Sequence, residues 1–301
     1  MNKDRIFLLD GHSLAHRAFY ALPLLSNSEG EYTNSVFGFC RMLFKLIDDE
    51  DPDLLTVAFD KKGATFRHEE YEEYKATRNK MPEELSPQIG LIKKVLKTLN
   101  IPTFEIEGYE ADDVIGTLAK EAEDEGMEVN IVTGDRDALQ LVNDNINIMY
   151  TKKGITNIEK YDLEKVREKY ELEPEKLVDM KGLMGDSSDN IPGVPGIGEK
   201  TATKLLKQFP DMETILKNIN EVSGKKRKEN LRKYSEQAKM SKKLGKIVVD
   251  VPIDIDLEDC VWEEPDHEKV LELFDRLEFD SLKERFIKKQ KISKEDIELI
   301  E

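Results

Sequence analysis

The chain has 301 residues, 39% of them hydrophobic and 36% charged, with 63 Asp and Glu against 46 Lys and Arg for a net charge of −17. That balance excludes a disordered chain and allows one large domain or two packed ones. Two distant cysteines, Cys40 and Cys260, exclude a disulfide framework and a CxxC zinc site, and no apolar run is long enough for a signal segment or a bilayer span.

Along the first half, apolar runs alternate with amphipathic stretches. Strands are expected at Ile6–Leu9, Leu54–Phe59, Thr103–Ile106 and Val129–Val132, and helices at Asn34–Asp48, Pro87–Leu99, Ala111–Glu125 and Arg136–Val142. Alternation of this kind predicts an α/β fold with a central, mainly parallel sheet flanked by helices, and such sheets carry their sites at the carboxyl ends of the strands. The second half reads as helical at Leu163–Tyr170, Pro174–Leu183, Lys200–Phe209, a basic stretch over Gly224–Leu244 and Glu268–Leu277, broken by a strand-like Lys246–Val251. The expected division is a catalytic domain over 1–182, a helical region over 183–290 and a tail over 291–301. Acidic residues near the first boundary suggest that the second half helps to complete the site.

Asp10 and Asp60 follow the first two strands, and Asp135 and Asp137 follow the strand at Val129–Val132, so a parallel sheet brings them to one edge. Glu110, Asp112 and Asp113 open a helix whose N-terminus favours negative charge, and Asp186 and Asp189 lie in a Gly-Asp-Ser-Ser-Asp-Asn loop. Any one of these nine could be a solvated acid or a helix cap. Together they would repel unless protons or cations intervene, and oxygen ligands without His or Cys point to Mg²⁺ or Mn²⁺ rather than zinc. His12 and His16 have helical spacing but lack the glutamate of a HExxH site. Two ions roughly 3.5–4 Å apart clamp the attacking and leaving oxygens of a phosphoryl displacement, which needs no side-chain nucleophile.

Seven segments now resemble a known family: Phe7 to Ser13 (FLLDGHS), Ala58 to Asp60 (AFD), Phe66 to Tyr71 with Tyr74 to Arg78 (FRHEEY, YKATR), Gly108 to Val114 (GYEADDV), Thr133 to Asp137 (TGDRD), Gly185 to Gly193 (GDSSDNIPG) and Gly196 to Ala202 (GIGEKTA). In order and spacing they look like the flap endonuclease and 5′→3′ exonuclease family, nearest to the nuclease module of bacterial DNA polymerase I, over about residues 5 to 288. The resemblance implies a PIN-like 5′-nuclease fold. It also implies that Asp10, Asp60, Glu110 and Asp112 serve one metal and Asp135, Asp137 and Asp189 a second, with Asp113 and Asp186 supporting both. Two or more Mg²⁺ ions are expected, Mn²⁺ substituting. Arg136 stands where a lysine is common, and no polymerase sequence follows Glu301.

The net charge argues against a polyanionic partner unless the cations cluster. Lys61 to Glu84 is a long polar connection carrying Arg67, Lys75, Arg78 and Lys80 among aromatics, which on its own could be a solvated helix. By family likeness it is a helical arch, at about 61–85, with Tyr74, Lys75 and Arg78 orienting the scissile phosphate, Tyr74 through stacking on a base, and with Arg67 and Lys80 on DNA. Gly193, Gly196, Ile197 and Gly198, then Lys200 and Lys204, look like the family's helix-hairpin-helix element, where amides meet a phosphate with K⁺. Lys225, Lys226 and Arg227 open a nine-residue run with six cations, read as duplex contact.

The function expected is a structure-selective 5′ nuclease acting on DNA with 5′ flaps, nicks or RNA primers. It is expected to be a cytoplasmic monomer without a membrane partner, either a stand-alone exonuclease or the nuclease part of a protein that also carries a DNA polymerase domain. A PIN-type ribonuclease would lack the arch and the Gly196–Gly198 element, and a non-catalytic junction binder would have lost acids.

Overall fold

The computed structural model describes residues 5–152, 154 and 157–288; the tail expected at 291–301 lies outside them. Strand β1 (Arg5–Asp10) is central because its apolar run is buried on both faces, as parallel strands covered by helices are. It pairs in parallel with β2 (Leu54–Ala58) and β4 (Glu128–Thr133), the latter pairing with β5 (Ile146–Thr151). The two-residue β3 (Thr103–Phe104) joins β2, and antiparallel β6 (Ile158–Tyr161) closes the far edge, giving the order β3-β2-β1-β4-β5-β6. The strand order reverses between β1 and β4, the place where open α/β sheets bind ligands.

Side chains alternating along β1 feed two cores. Phe7 and Leu9 pack with α1 (Gly11–Ala21), α2 (Asn34–Glu50) and, beyond the short α3 (Phe66–Glu70), α4 (Ser86–Thr98), through Phe39, Leu43, Ile92 and Leu96. Ile6 and Leu8 face the other way, onto Val114, Ile115 and Leu118 of α5 (Ala111–Asp124). After α6 (Leu163–Tyr170), the helices α7 (Lys176–Met184), α8 (Glu199–Gln208), α9 (Met212–Lys217), α10 (Lys225–Lys233) and α11 (Ser235–Gly245) enclose a third core around Leu183, Leu205, Leu206 and Leu231. The chain then returns: Ile253, Ile255 and Cys260 join the α5 core, and Val270 and Phe274 of α12 (His267–Arg276) join the α2 and α4 core. The expected boundary at 182/183 therefore cuts α7, and the stretch 183–290 is not one unit.

Other expectations are corrected. Lys246–Val251 is not a strand, because its amides are taken by side chains: Ile247 donates to Gln140 Oε1 (3.0 Å), Val248 to Asp113 Oδ1 (2.9 Å) and Val251 to Thr117 Oγ1 (3.1 Å). The helix expected at Arg136–Val142 is one 3-10 turn, Asp137–Leu141, and the basic stretch breaks at Tyr234 into α10 and α11. Strands β5 and β6 were not expected. The connection 61–85 is not a helical arch in this structure; it holds five-residue α3 followed by turns.

Arg67 of α3, expected on DNA, is instead 2% exposed and bound bidentately to Asp113 (2.6 and 2.7 Å). Its remaining donors reach the carbonyls of Leu244 (2.9 Å) and Lys246 (2.8 Å), so no donor faces a phosphate. One guanidinium thus joins α3, α5 and the end of α11. Arg67→Leu should destabilise the fold by about 3–5 kcal/mol by stranding a buried carboxylate. That loss is expected as a lower urea midpoint at unchanged slope; a change under about 1 kcal/mol would show that the pair does not hold the fold together.

Candidate metal centre

The site begins with what terminates β1. Asp10 leaves the strand and caps α1, accepting from the Ser13 amide (2.9 Å), while its other oxygen accepts from Thr133 Oγ1 (2.8 Å) on the neighbouring β4. Asp60, two residues past β2, accepts from the Ala111 amide at the start of α5 (2.8 Å), and its own amide donates to His12 Nδ1 (3.0 Å). That bond uses the His12 lone pair and leaves the ring as a prop for Asp60. Glu110 caps α5, and β4 ends in the turn that carries Asp135 and Asp137, with the Asp137 amide on Asp135 Oδ1 (2.9 Å). The Asp186 and Asp189 loop is closed by reciprocal backbone bonds between Asp186 and Ile191 (2.8 and 2.7 Å).

These elements line one cleft of about 870 Å³, with Asp10, Asp60, Glu110, Asp112, Asp135, Asp137 and Asp189 on its wall. Asp137, Asp186 and Asp189 each bring one carboxylate oxygen to within 4.8 Å of the others. Asp113 stands apart: fully buried, it accepts from Arg67 twice, from the Glu110 amide (3.1 Å) and from the Val248 amide, which leaves it no free position for an ion. It holds the helix that presents Glu110 and Asp112.

Proximity and burial disturb the acids. Burial lifts the Asp10 carboxyl to about 7 against the pull of the Ser13 amide, and Asp60 adds to the rise. Asp137 is raised to about 6 by burial and Asp135, and Asp112 lies well above its ordinary value through burial and its neighbours Asp10 and Asp135. Asp186 is the exception: although burial opposes it, Lys181 and the Ser188 hydrogen bonds bring it down to about 2. Cations soften the repulsion, with Lys75 Nζ 2.7 Å from Glu110, Arg78 Nε 3.0 Å from Asp189 and Lys181 Nζ 2.8 Å from Asp186. An all-carboxylate donor set whose acids resist ionising side by side fits hard divalent cations.

Tyr74 is 3% exposed and donates to Glu110 (3.2 Å), so in this arrangement it supports the cleft from behind instead of offering a ring for base stacking. Lys75 and Arg78 reach the cleft, engaged with Glu110 and Asp189, and Lys80 is exposed. In the helical unit, Ile197 buries its side chain in the core and donates its amide to the Val194 carbonyl (3.0 Å), which corrects its expected place on DNA. Gly193 is also interior, at φ 60°, where a Cβ would overlap the backbone of Met184 and Gly185. Gly196 and Gly198 are exposed where α8 opens, and Asn230 of α10 ties to this loop through Pro195 O (2.7 Å). Lys200, Lys204, Lys225 and Lys226 are exposed around it, whereas Arg227 turns back onto the Ser223 carbonyl (2.7 Å). Further along, half-buried Lys242 pairs with Asp179, and exposed Lys243 pairs with Glu70. Sequence reasoning missed Lys181 and Thr133; a lysine in the apolar turn just before the Gly185 loop was the available signal for the first.

Two family models cover the chain. One, the N-terminal resolvase-like domain of 5′-3′ exonuclease, matches residues 5–171, and the other, the C-terminal SAM fold of 5′-3′ exonuclease, matches 172–268. DNA polymerase I of Bacillus caldotenax is 53% identical and that of Bacillus subtilis 52%, each over 94% of this chain. The chain spans 32% of the length of those two relatives. Among solved structures, T5 5′-exonuclease with bound divalent metal ions (zinc) aligns with a TM-score of 0.66 at 23% identity, over 94% of this chain and 98% of that one. The catalytic core of Rad2 in complex with DNA aligns at 0.58 and 16%, over 91% and 87%. At these identities the structural likeness establishes the fold.

The raised acids set a pH dependence. A carboxyl whose folded pKa exceeds its unfolded one favours the fold most below the unfolded value and loses that contribution as pH rises through the folded value. For Asp137 and Asp10 that window runs from about 4 up to about 6 and 7, so metal-free protein should show a falling Tm across it. Mg²⁺ should raise Tm more at about pH 8 than at about pH 5, where protons compete for the same oxygens. Equal Mg²⁺ stabilisation at both pH values in thermal melts would contradict this.

Proposed function

The chain belongs to the 5′-3′ exonuclease family, and we propose on that footing that it is a structure-selective 5′ nuclease, hydrolysing DNA phosphodiesters at 5′ flaps, nicks and RNA primers. The observation that carries this reading is the cleft wall itself: seven carboxylates from β1, β2, α5, β4 and the Asp189 loop converge in one cavity. Lys200 and Lys204 of α8 and Lys225 and Lys226 of α10 are exposed, which supports a basic surface for duplex contact. Asp10, Asp60, Glu110 and Asp112 would hold one divalent ion and Asp135, Asp137 and Asp189, with Asp186 beside them, a second. Mg²⁺ is the proposed ion, with Mn²⁺ able to replace it. When bound, such ions neutralise the phosphoryl oxygens and activate the attacking water.

The protein's own residues account for the rest. Water adds to phosphorus and the P–O3′ bond breaks, leaving a 5′-phosphate and a 3′-hydroxyl. Lys75 and Arg78, paired with Glu110 and Asp189, stand at the cleft to meet the charge that develops on the phosphate. The exposed first turn of α8 at Gly198 presents amides to a duplex phosphate, with K⁺ as the proposed partner there, while Lys200, Lys204, Lys225 and Lys226 neutralise its neighbours. Asp113 and Arg67 keep the two halves in register. We assign the α/β part to catalysis and the helical part to duplex binding, in a monomer attached to a polymerase domain and working in the cytoplasm. No helix among the described residues is long and apolar enough to cross a membrane.

Asp135→Ala should abolish Mg²⁺-dependent cleavage of a labelled 5′-flap substrate while leaving Ca²⁺-supported binding intact. Undiminished cutting by that variant would overturn the proposal. Reversing Lys200, Lys225 and Lys226 to Glu should weaken binding of all duplex sequences alike and reduce the slope of log affinity against log salt by about 3; an unchanged slope would remove the patch from the DNA path.

A further inference from the structure

Lys75, Arg78 and Lys181 each pair with acids of the site, and they are held in different ways. Lys75 and Arg78 come from the turns after α3: Lys75 has a left-handed backbone, φ 56°, and the Arg78 side chain is 46% exposed. Lys181 comes from the last turn of α7 and is 13% exposed, its stem packed so closely over Gly245 that a Cβ there would overlap it. Its ammonium lies 2.8 Å from Asp186 and also bonds Asp137. Those acids are two of the three whose oxygens gather most tightly, the third being Asp189. The Gly185 amide donates to the Lys181 carbonyl (2.8 Å), so the lysine and the loop that presents Asp186 form one unit.

We infer that Lys181 is a resident counter-charge of the Asp137, Asp186 and Asp189 subsite, holding divalent-ion affinity there low until a substrate phosphate adds negative charge and ligand oxygens. A fixed positive charge in contact with two of the three carboxylates repels an arriving cation and occupies lone pairs that the cation needs. Among the described residues, the opposite subsite, around Asp10, Asp60 and Asp112, meets cations at Glu110 alone: Lys75 of the turn-rich connection at 2.7 Å, and Arg67 at 3.4 Å, whose bidentate partner is Asp113. Ion loading is therefore ordered: the first subsite fills in the free protein, and the second fills together with DNA. Such coupling is reciprocal, so the second ion and the substrate each raise the other's affinity. Lys181 is a positioning residue in this scheme, acting through the acids and not on the substrate.

The inference rests on the proposed metal reading of the cleft, and one titration separates the two. Free Mn²⁺ is followed by electron paramagnetic resonance as it is added to the full chain without DNA. The wild-type protein should bind one ion tightly and one weakly. Lys181→Met should tighten the weaker ion by at least about tenfold, and Lys181→Gln, which keeps a hydrogen-bond donor without the charge, should do the same. Lys181→Arg should restore the wild-type curve, with circular dichroism melts reporting the folding of every variant. An unchanged weak site in either folded neutral variant overturns the role of Lys181 and leaves the metal reading standing. Absence of Mn²⁺ binding by the wild-type chain overturns both.

Discussion

Repulsion among carboxylates governs this structure. A parallel sheet with Asp at the ends of β1 and β4 and just beyond β2 gathers negative charge at one edge, and the helix that follows β3 adds Glu110 and Asp112. Each acid is tolerated through a specific local device. Asp10 caps α1, Glu110 caps α5, Asp60 takes the first amide of that helix, and Asp135 takes the amide of Asp137. Helix N-termini are the cheapest places to store anions, and the sheet topology delivers two of them to one cleft. What those devices leave unbalanced shows in the raised carboxyls of Asp10, Asp112 and Asp137.

Much of this could be read from the sequence, because strand runs followed immediately by Asp fix both the element and the edge on which it ends. The runs at Ile6, Leu54 and Val129 are continuous apolar segments, and such signals survive any tertiary context. What could not be read is where local pattern meets a tertiary partner. Lys246–Val251 has the composition of a strand, yet Asp113, Thr117 and Gln140 offered its amides a better match than a sheet edge. Arg67 and Tyr74 sit among cations and aromatics that look made for nucleic acid, and both are interior. Composition places a basic residue on a surface by default, and only the buried Asp113 reveals the exception. In the same way Gly193 and Ile197 lie within a motif of exposed neighbours while serving the core beneath it.

The excess of acid over base also has a spatial answer. Lys242 of α11 is held by Asp179 and Glu213, while Lys243, exposed, pairs with Glu70. Exposed cations include Lys200 and Lys204 after the Gly198 turn, a loop that Asn230 of α10 holds through Pro195 O. A small, local patch suffices for a few phosphates, because screening confines each contact to about a Debye length, about 8–10 Å at ordinary salt.

The two halves meet through charge as well as through apolar packing, where Tyr74, Ile191 and Leu244 form a small cluster. The helical unit has its own core, but Asp189 lines the cleft of the α/β part, and Lys181, bound to Asp186, reaches Asp137 across the boundary. Arg67 answers from the other side, crossing to the carbonyls that end α11 while bound to Asp113 at the base of α5. A displacement of α11 would therefore be felt at Asp113, at the cap that Glu110 forms and at the acids beside it. The helical unit and the cleft thus share one connection built from a buried ion pair, whose members are satisfied by each other and by the carbonyls and amides around them.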